Sequence, residues 1–98
     1  MLTGKCKKDF IKWTGEPKRT IKSFLRLKIT EQYKIFKEYF ESIGYKFKIV
    51  EKRISDDVFL YKPELIDRDS MKYNDTCDDL RDAWRMLVGK ANNLENKR

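Results

Sequence analysis

The side chains of this chain that could do chemistry are mostly lysines and arginines, and phosphate contact is the chemistry open to them. Lys5, Lys7, Lys8 and Lys12 stand together near the N-terminus, followed by Lys18, Arg19, Lys22, Arg26 and Lys28. A third group, Lys46, Lys48, Lys52 and Arg53, falls in a stretch of alternating apolar and polar residues. Cations converging on one surface release counterions when they meet phosphates, so such a patch reads as a nucleic-acid footprint. The plainer alternative is a set of solvated faces that keep a small domain soluble. The charge is unevenly spread. Through Ile54, fifteen Lys/Arg stand against six Asp/Glu, or +9; from Ser55 onward eight stand against ten, or −2, giving the net +7. Before Thr30, nine Lys/Arg meet only Asp9 and Glu16. A binding surface is therefore expected on the first helix and the connector after it, with Lys46 and Lys48 as its extension.

Other chemistry finds little support. The chain has no histidine, so it has no Ser-His or Cys-His nucleophile pair and no imidazole base. Its four glycines are scattered and form no phosphate-cradling loop. Asp67 with Asp69, or Asp75 with Asp78 and Asp79, could hold a divalent ion for phosphodiester chemistry. Helix caps and dipole partners explain the second group better, and a solvated loop explains the first. Cys6 and Cys77, without histidine, make none of the usual zinc sets, and they read as reduced, half-buried thiols. No metal, no cofactor and no enzymatic activity are expected.

The elements that must position the basic groups follow from periodicity. Thr3 can cap a helix over about 4–14, with Cys6, Phe10 and Trp13 on one stripe. Residues 15–29 form a connector, punctuated by Gly15 and Pro17, that tucks its apolar residues under the domain. The alternation at Leu25, Leu27 and Ile29 leans towards extended structure. Thr30 then caps a helix over 31–43, striped by Tyr33, Phe36, Phe40 and Ile43 and ended by Gly44. Residues 45–54 alternate as a half-buried strand, with Ile49-Val50 marking a bulge or a change of face. Ser55-Asp56-Asp57 turns the chain into a strand over 58–62, which Pro63 stops. Residues 64–73 leave room for a third strand. Thr76 caps a long helix over 77–96 carrying Leu80, Trp84, Leu87, Val88, Ala91 and Leu94. Tyr45 and Phe47 could stack bases between the lysines. Alternation, however, puts them on the opposite face, where core packing explains them. The expected fold is α+β: one domain of 98 residues, with helices on one face of an antiparallel sheet of two or three strands.

The chain resembles a group of small uncharacterised proteins carried by phages and prophages of Bacteroidetes-type bacteria. The resemblance rests on Leu2-Thr3-Gly4-Lys5 with Asp9-Phe10 and Lys12-Trp13, then on Phe24 to Leu27 leading to Gln32-Tyr33. It continues through Tyr39-Phe40-Glu41-Ser42-Ile43-Gly44 and closes on Arg81, Ala83 and Lys90-Ala91-Asn92. Where members of that group often carry proline before the cap of the long helix, this chain has Lys28-Ile29. The resemblance implies a small accessory protein of a mobile element and transfers no activity.

Three functions are then expected in order. The first is a non-enzymatic protein that occupies a surface on a host protein or nucleoprotein, most specifically an anti-CRISPR-like inhibitor of a bacterial defence system. The second is direct nucleic-acid binding by the basic N-terminal half. The third is a structural or virion-associated oligomer, for which the long C-terminal helix could pair two copies. The opening MLTGKCKKDF lacks the apolar run of a signal peptide, and no stretch reaches the ~18 apolar residues of a membrane span. A cytoplasmic protein of the host cell, with no membrane partner, is the matching expectation.

Overall fold

The computed structural model describes residues 2–15, 24 and 26–98. Among these it has three helices, α1 (Gly4–Trp13), α2 (Ile29–Ser42) and α3 (Leu80–Asn96). Three strands, β1 (Lys46–Ser55), β2 (Val58–Ile66) and β3 (Lys72–Asn74), form one antiparallel sheet in the order β1-β2-β3. This is the expected α+β layering, with the helices on one face of the sheet.

That face is fixed by strand alternation. Tyr45, Phe47 and Leu65 are buried, and Phe47 and Leu65 are direct cross-strand partners. They meet Tyr33, Phe36, Tyr39 and Phe40 of α2, Leu87, Val88 and Ala91 of α3, and Leu2, Cys6 and Phe10 of α1 in one core. Aromatic rings dominate it. Phe10 lies 5.1 Å from Phe36 and 5.3 Å from Tyr39, and Tyr33 stacks on Trp84 at 5.8 Å. Such pairs add roughly 0.5–1.5 kcal/mol each beyond their buried area.

Helix α1 begins at Gly4, as expected, but Thr3 does not cap it with its side chain. The cap comes from the other end of the chain: Asn96 Oδ1 accepts from the Cys6 N–H at 2.8 Å, and Asn92 Oδ1 accepts from the Thr3 N–H at 3.0 Å. Helix α2 starts two residues before the expected 31. Lys28, not Thr30, occupies the cap position without a capping bond. The start is set by tertiary contacts, with Gln32 Nε2 donating to the Leu27 carbonyl at 2.9 Å and Ile29 packing on the core. The end of α2 follows the sequence. Gly44 takes φ +111°, and the Gly44 and Tyr45 N–H groups donate back to Glu41 and Phe40 in the left-handed glycine stop.

Pro63 does not stop β2, which runs on to Ile66. The reason is parity. The Pro63 carbonyl accepts from the Asp75 N–H at 3.3 Å, so its missing N–H lies on that same side, away from β1. The β1–β2 ladder therefore loses no bond, and Ile49 pairs with Pro63 in register. The register shift lies between Arg53 and Ser55, not at Ile49-Val50. The break in alternation there marks the end of the covering layer instead: every residue from Val50 to Phe59 is exposed, so the hairpin projects beyond the helices.

Helix α3 starts at Leu80, not 77. Asp79 is its cap, accepting from the Arg81 N–H at 2.8 Å, while Cys77 pairs with Tyr61 as an isolated bridge. Its last turns do not overhang: Ala91, Asn92 and Glu95 are buried. The stripe expected to pair two copies is spent inside the chain, with only Leu80 exposed among its large residues. In the connector, Phe24 and Ile29 pack against the core. The extended lean expected at Leu27 and Ile29 is not seen, because the Leu27 N–H donates to the Phe24 carbonyl at 3.1 Å in a turn and Ile29 opens α2. Leu25 and the stretch 16–23 lie outside the described residues.

Candidate nucleic-acid interface

Since β1 and β2 put Phe47, Ile49, Pro63 and Leu65 towards the helices, their neighbours point the other way. Lys46, Lys48, Val50 and Lys52 of β1 share that outer face with Leu60, Lys62, Glu64 and Ile66 of β2 and Lys72 and Asn74 of β3, as the register requires. No described element covers this face. Lys46, Lys48, Val50, Lys52, Lys62, Lys72 and Asn74 are exposed, and Leu60, Glu64 and Ile66 are half-buried. Along β1, Lys46 and Lys48 stand about 6.7 Å apart, and Lys46 and Lys72 lie two strand spacings apart, about 10 Å. None of the five lysines is in an ion pair among the described residues. Glu64 stands opposite Lys48 on this face, and Asp75 shares a shallow depression with Val50, Lys62 and Asn74.

The expected site residues divide between two sides of the molecule. Lys5, Lys7, Lys8 and Lys12 are exposed on α1, within the helix layer. Lys46 and Lys48 point from the sheet away from that layer, so they do not extend an α1 surface; strand alternation separates the two groups. Arg26 and Lys28 are exposed beside the start of α2, and Lys18, Arg19 and Lys22 lie outside the described residues. Lys62 and Lys72 were not among the expected residues. Alternation in Leu60-Lys62-Glu64 could have shown the first, had Pro63 not ended the expected strand. The three-residue β3 gives no periodic signal for the second.

Neither a protein-family model, nor a curated protein, nor a solved structure matches this chain. The surface is therefore read from its own chemistry.

The remaining titratable groups serve the fold. Glu95, buried at the end of α3, accepts from the Tyr45 hydroxyl at 2.9 Å and from Arg68 at 3.1 Å. Burial, then this bond to Glu95, pushes the Tyr45 phenol above its ordinary range. Asp67 closes the β2–β3 turn, accepting from the Asp69 and Met71 N–H groups and the Tyr73 hydroxyl. Burial opposes its ionisation, but these donors outweigh it and hold the carboxyl below the usual range. Asp67 and Asp69 thus form a turn, and Asp79 is a cap. Among the described residues no group of three Cys, Asp or Glu is placed to hold a metal ion. Burial, with the charge of Glu95, raises the Cys6 thiol to about 11, and Cys77 is raised by partial burial and its neighbouring aspartates. Both thiols are free. Among the described residues, no helix is long and apolar enough to cross a membrane.

Proposed function

We propose that this protein is a non-enzymatic binding module whose working surface is the open face of its sheet, and that its partner is a host nucleoprotein. The observation that supports this is the asymmetry of the sheet. One face is filled by three helices; the other carries five lysines, none in an ion pair among the described residues, around Val50, Leu60 and Ile66. A small domain gains solubility from scattered lysines. Lysines also guard open sheet edges against pairing, which explains β1 and β3. Edge protection does not explain Lys62, which stands on the central strand.

The residues that resemble phage and prophage proteins bear on this reading. Leu2 is buried, Thr3 bonds Asn92, and Gln32, Tyr33, Tyr39, Phe40, Ala83 and Ala91 are buried. Others of the same set, Lys5, Lys12, Trp13, Glu41 and Arg81, are exposed, so the resemblance touches core and surface alike, and what it supports is the setting of a small accessory protein of a mobile element. In that setting the specific form proposed is an inhibitor of a bacterial defence nuclease, in the manner of an anti-CRISPR, acting by occupation.

The test is affinity capture from a host lysate, with and without nuclease treatment, using two charge-matched variants. One is Lys46→Gln/Lys48→Gln/Lys62→Gln on the sheet, the other Lys5→Gln/Lys8→Gln/Lys12→Gln on α1. The expected result is one defined nucleoprotein retained by the wild type and the α1 variant and lost by the sheet variant. Equal retention by both variants overturns the assignment of the surface.

A further inference from the structure

We infer that the open sheet face contacts the phosphates of a single nucleic-acid strand directly and does not read its bases. This rests on the reading of that face as the working surface, and it adds the ligand and the manner of contact. Three observations carry it.

The first is charge. Lys46, Lys48, Lys52, Lys62 and Lys72 outnumber Glu64 and Asp75 on and beside the face, and each is exposed without an ion pair among the described residues. A polyanion is the complementary partner. The charge also opposes a second copy: stacking two such faces would bring ten lysines together.

The second is what stands between the lysines. Val50, Leu60 and Ile66 offer no hydrogen bond to a base edge. The aromatic side chains that stacking would need are not on this face: Tyr45, Phe47 and Tyr73 pack in or against the core, and Phe59 and Tyr61 share the parity of Pro63 and Leu65, opposite the lysines, with Phe59 exposed on the projecting hairpin. The face can hold backbone and sugar; besides the lysines its polar side chains are one exposed amide, Asn74, and the half-buried Glu64, and one amide meets one base without setting a sequence preference along a strand.

The third is the hairpin tip. A ribbon entering a duplex groove is flanked by phosphates on both sides. Here the turn presents Asp56 and Asp57; Arg53 neutralises Asp56 at 2.8 Å, and Asp57 has no ion pair among the described residues. That acidic tip is repelled from a groove, whereas a single strand crossing the face near Lys46, Lys48 and Lys72 need not approach it.

Five phosphate contacts predict a slope of log Kobs against log salt of about −3.5 on a single strand. Affinity then falls roughly 130-fold between 50 and 200 mM salt. The experiment is fluorescence anisotropy of the whole protein with a labelled single-stranded DNA of about 16 nucleotides, a length that small single-strand binders cover. Mixed-sequence and homopolymer strands and the matching duplex are run beside it. The expected results are equal affinity across sequences, weaker binding to the duplex, and the stated slope. Lys46→Gln/Lys48→Gln/Lys62→Gln should flatten the slope by about 2, while Lys5→Gln/Lys8→Gln/Lys12→Gln leaves it unchanged. Circular dichroism confirms that both variants fold. Strong sequence preference, tighter duplex binding, or loss through the α1 variant alone each overturns the inference. If no strand binds, yet the sheet variant still loses its partner from nuclease-treated lysate, the phosphate inference falls and the binding reading stands.

Discussion

Replacing Glu95 by alanine tests the polar joint that ties the end of α3 to the start of β1. The Tyr45 side chain is 1% exposed, and its hydroxyl donates to Glu95 at 2.9 Å. Removing the acceptor strands a buried donor, at about 1–3 kcal/mol. Arg68 loses its partner too, but its side chain is 37% exposed and water replaces the carboxylate, so its share is about 0–1 kcal/mol. With the lost packing of the Glu95 methylenes, the total is about 3 kcal/mol. In a domain of this size that lowers Tm by roughly 12–24 °C. Glu95→Gln keeps an acceptor and should cost about 1 kcal/mol, as should Tyr45→Phe. The double variant Tyr45→Phe/Glu95→Ala removes donor and acceptor together, so it should cost less than the sum of its parts by about 1–2 kcal/mol. Urea unfolding followed by tryptophan fluorescence reads all four. A cost for Glu95→Ala below about 0.5 kcal/mol, or strict additivity in the double variant, refutes the reasoning.

Gly4 takes φ +60°, and a Cβ there would stand 3.1 Å from Asn96 Oδ1, so Gly4→Ala should cost about 1–2 kcal/mol by thermal melting, while Gly89→Ala, inside α3 with open space around it, should stabilise by about 0.5–1 kcal/mol. Asp67 is held below the usual carboxylate range, so its contribution is complete above the unfolded value near 4 and is lost as pH falls through the lower folded value; an acid titration of stability should show this loss, and Asp67→Asn should flatten it. The Cys6 thiol, raised to about 11 and 1% exposed, should resist a thiol reagent at pH 8 until the protein is unfolded, with Cys77 the only site labelled in the native state. At high pH the direction reverses: neutral Cys6 supports the fold below its unfolded value near 8.5, and that support is lost as pH rises towards 11.

The fold was legible where a single element carried its own signal. The stripe of Tyr33, Phe36 and Phe40 with Gly44 behind it marks α2, and alternation from Tyr45 to Ile49 marks β1 and its buried face. What was not legible depended on partners far along the chain. Asn96 caps α1 from some ninety residues away, and no local pattern announces that. Pro63 reads as a stop until its carbonyl is seen to face Asp75 rather than β1. The candidate surface follows the same division. Lys46 and Lys48 were visible as the outer face of a strand. That they join Lys62 and Lys72 and stand apart from the α1 lysines is a fact of sheet register and layer order, and the distribution of charge along the chain, with its basic excess before Thr30, carries neither.

Lysine footprinting tests the central claim most directly, because it needs no assumption about the partner. The protein alone and in its captured complex is treated with an amine-acetylating reagent, and each lysine's modification is read by mass spectrometry. Lys46, Lys48, Lys52, Lys62 and Lys72 should be protected in the complex, with Lys5, Lys7, Lys8 and Lys12 modified as in the free protein. Protection of the α1 lysines with the sheet lysines left fully reactive would contradict the account.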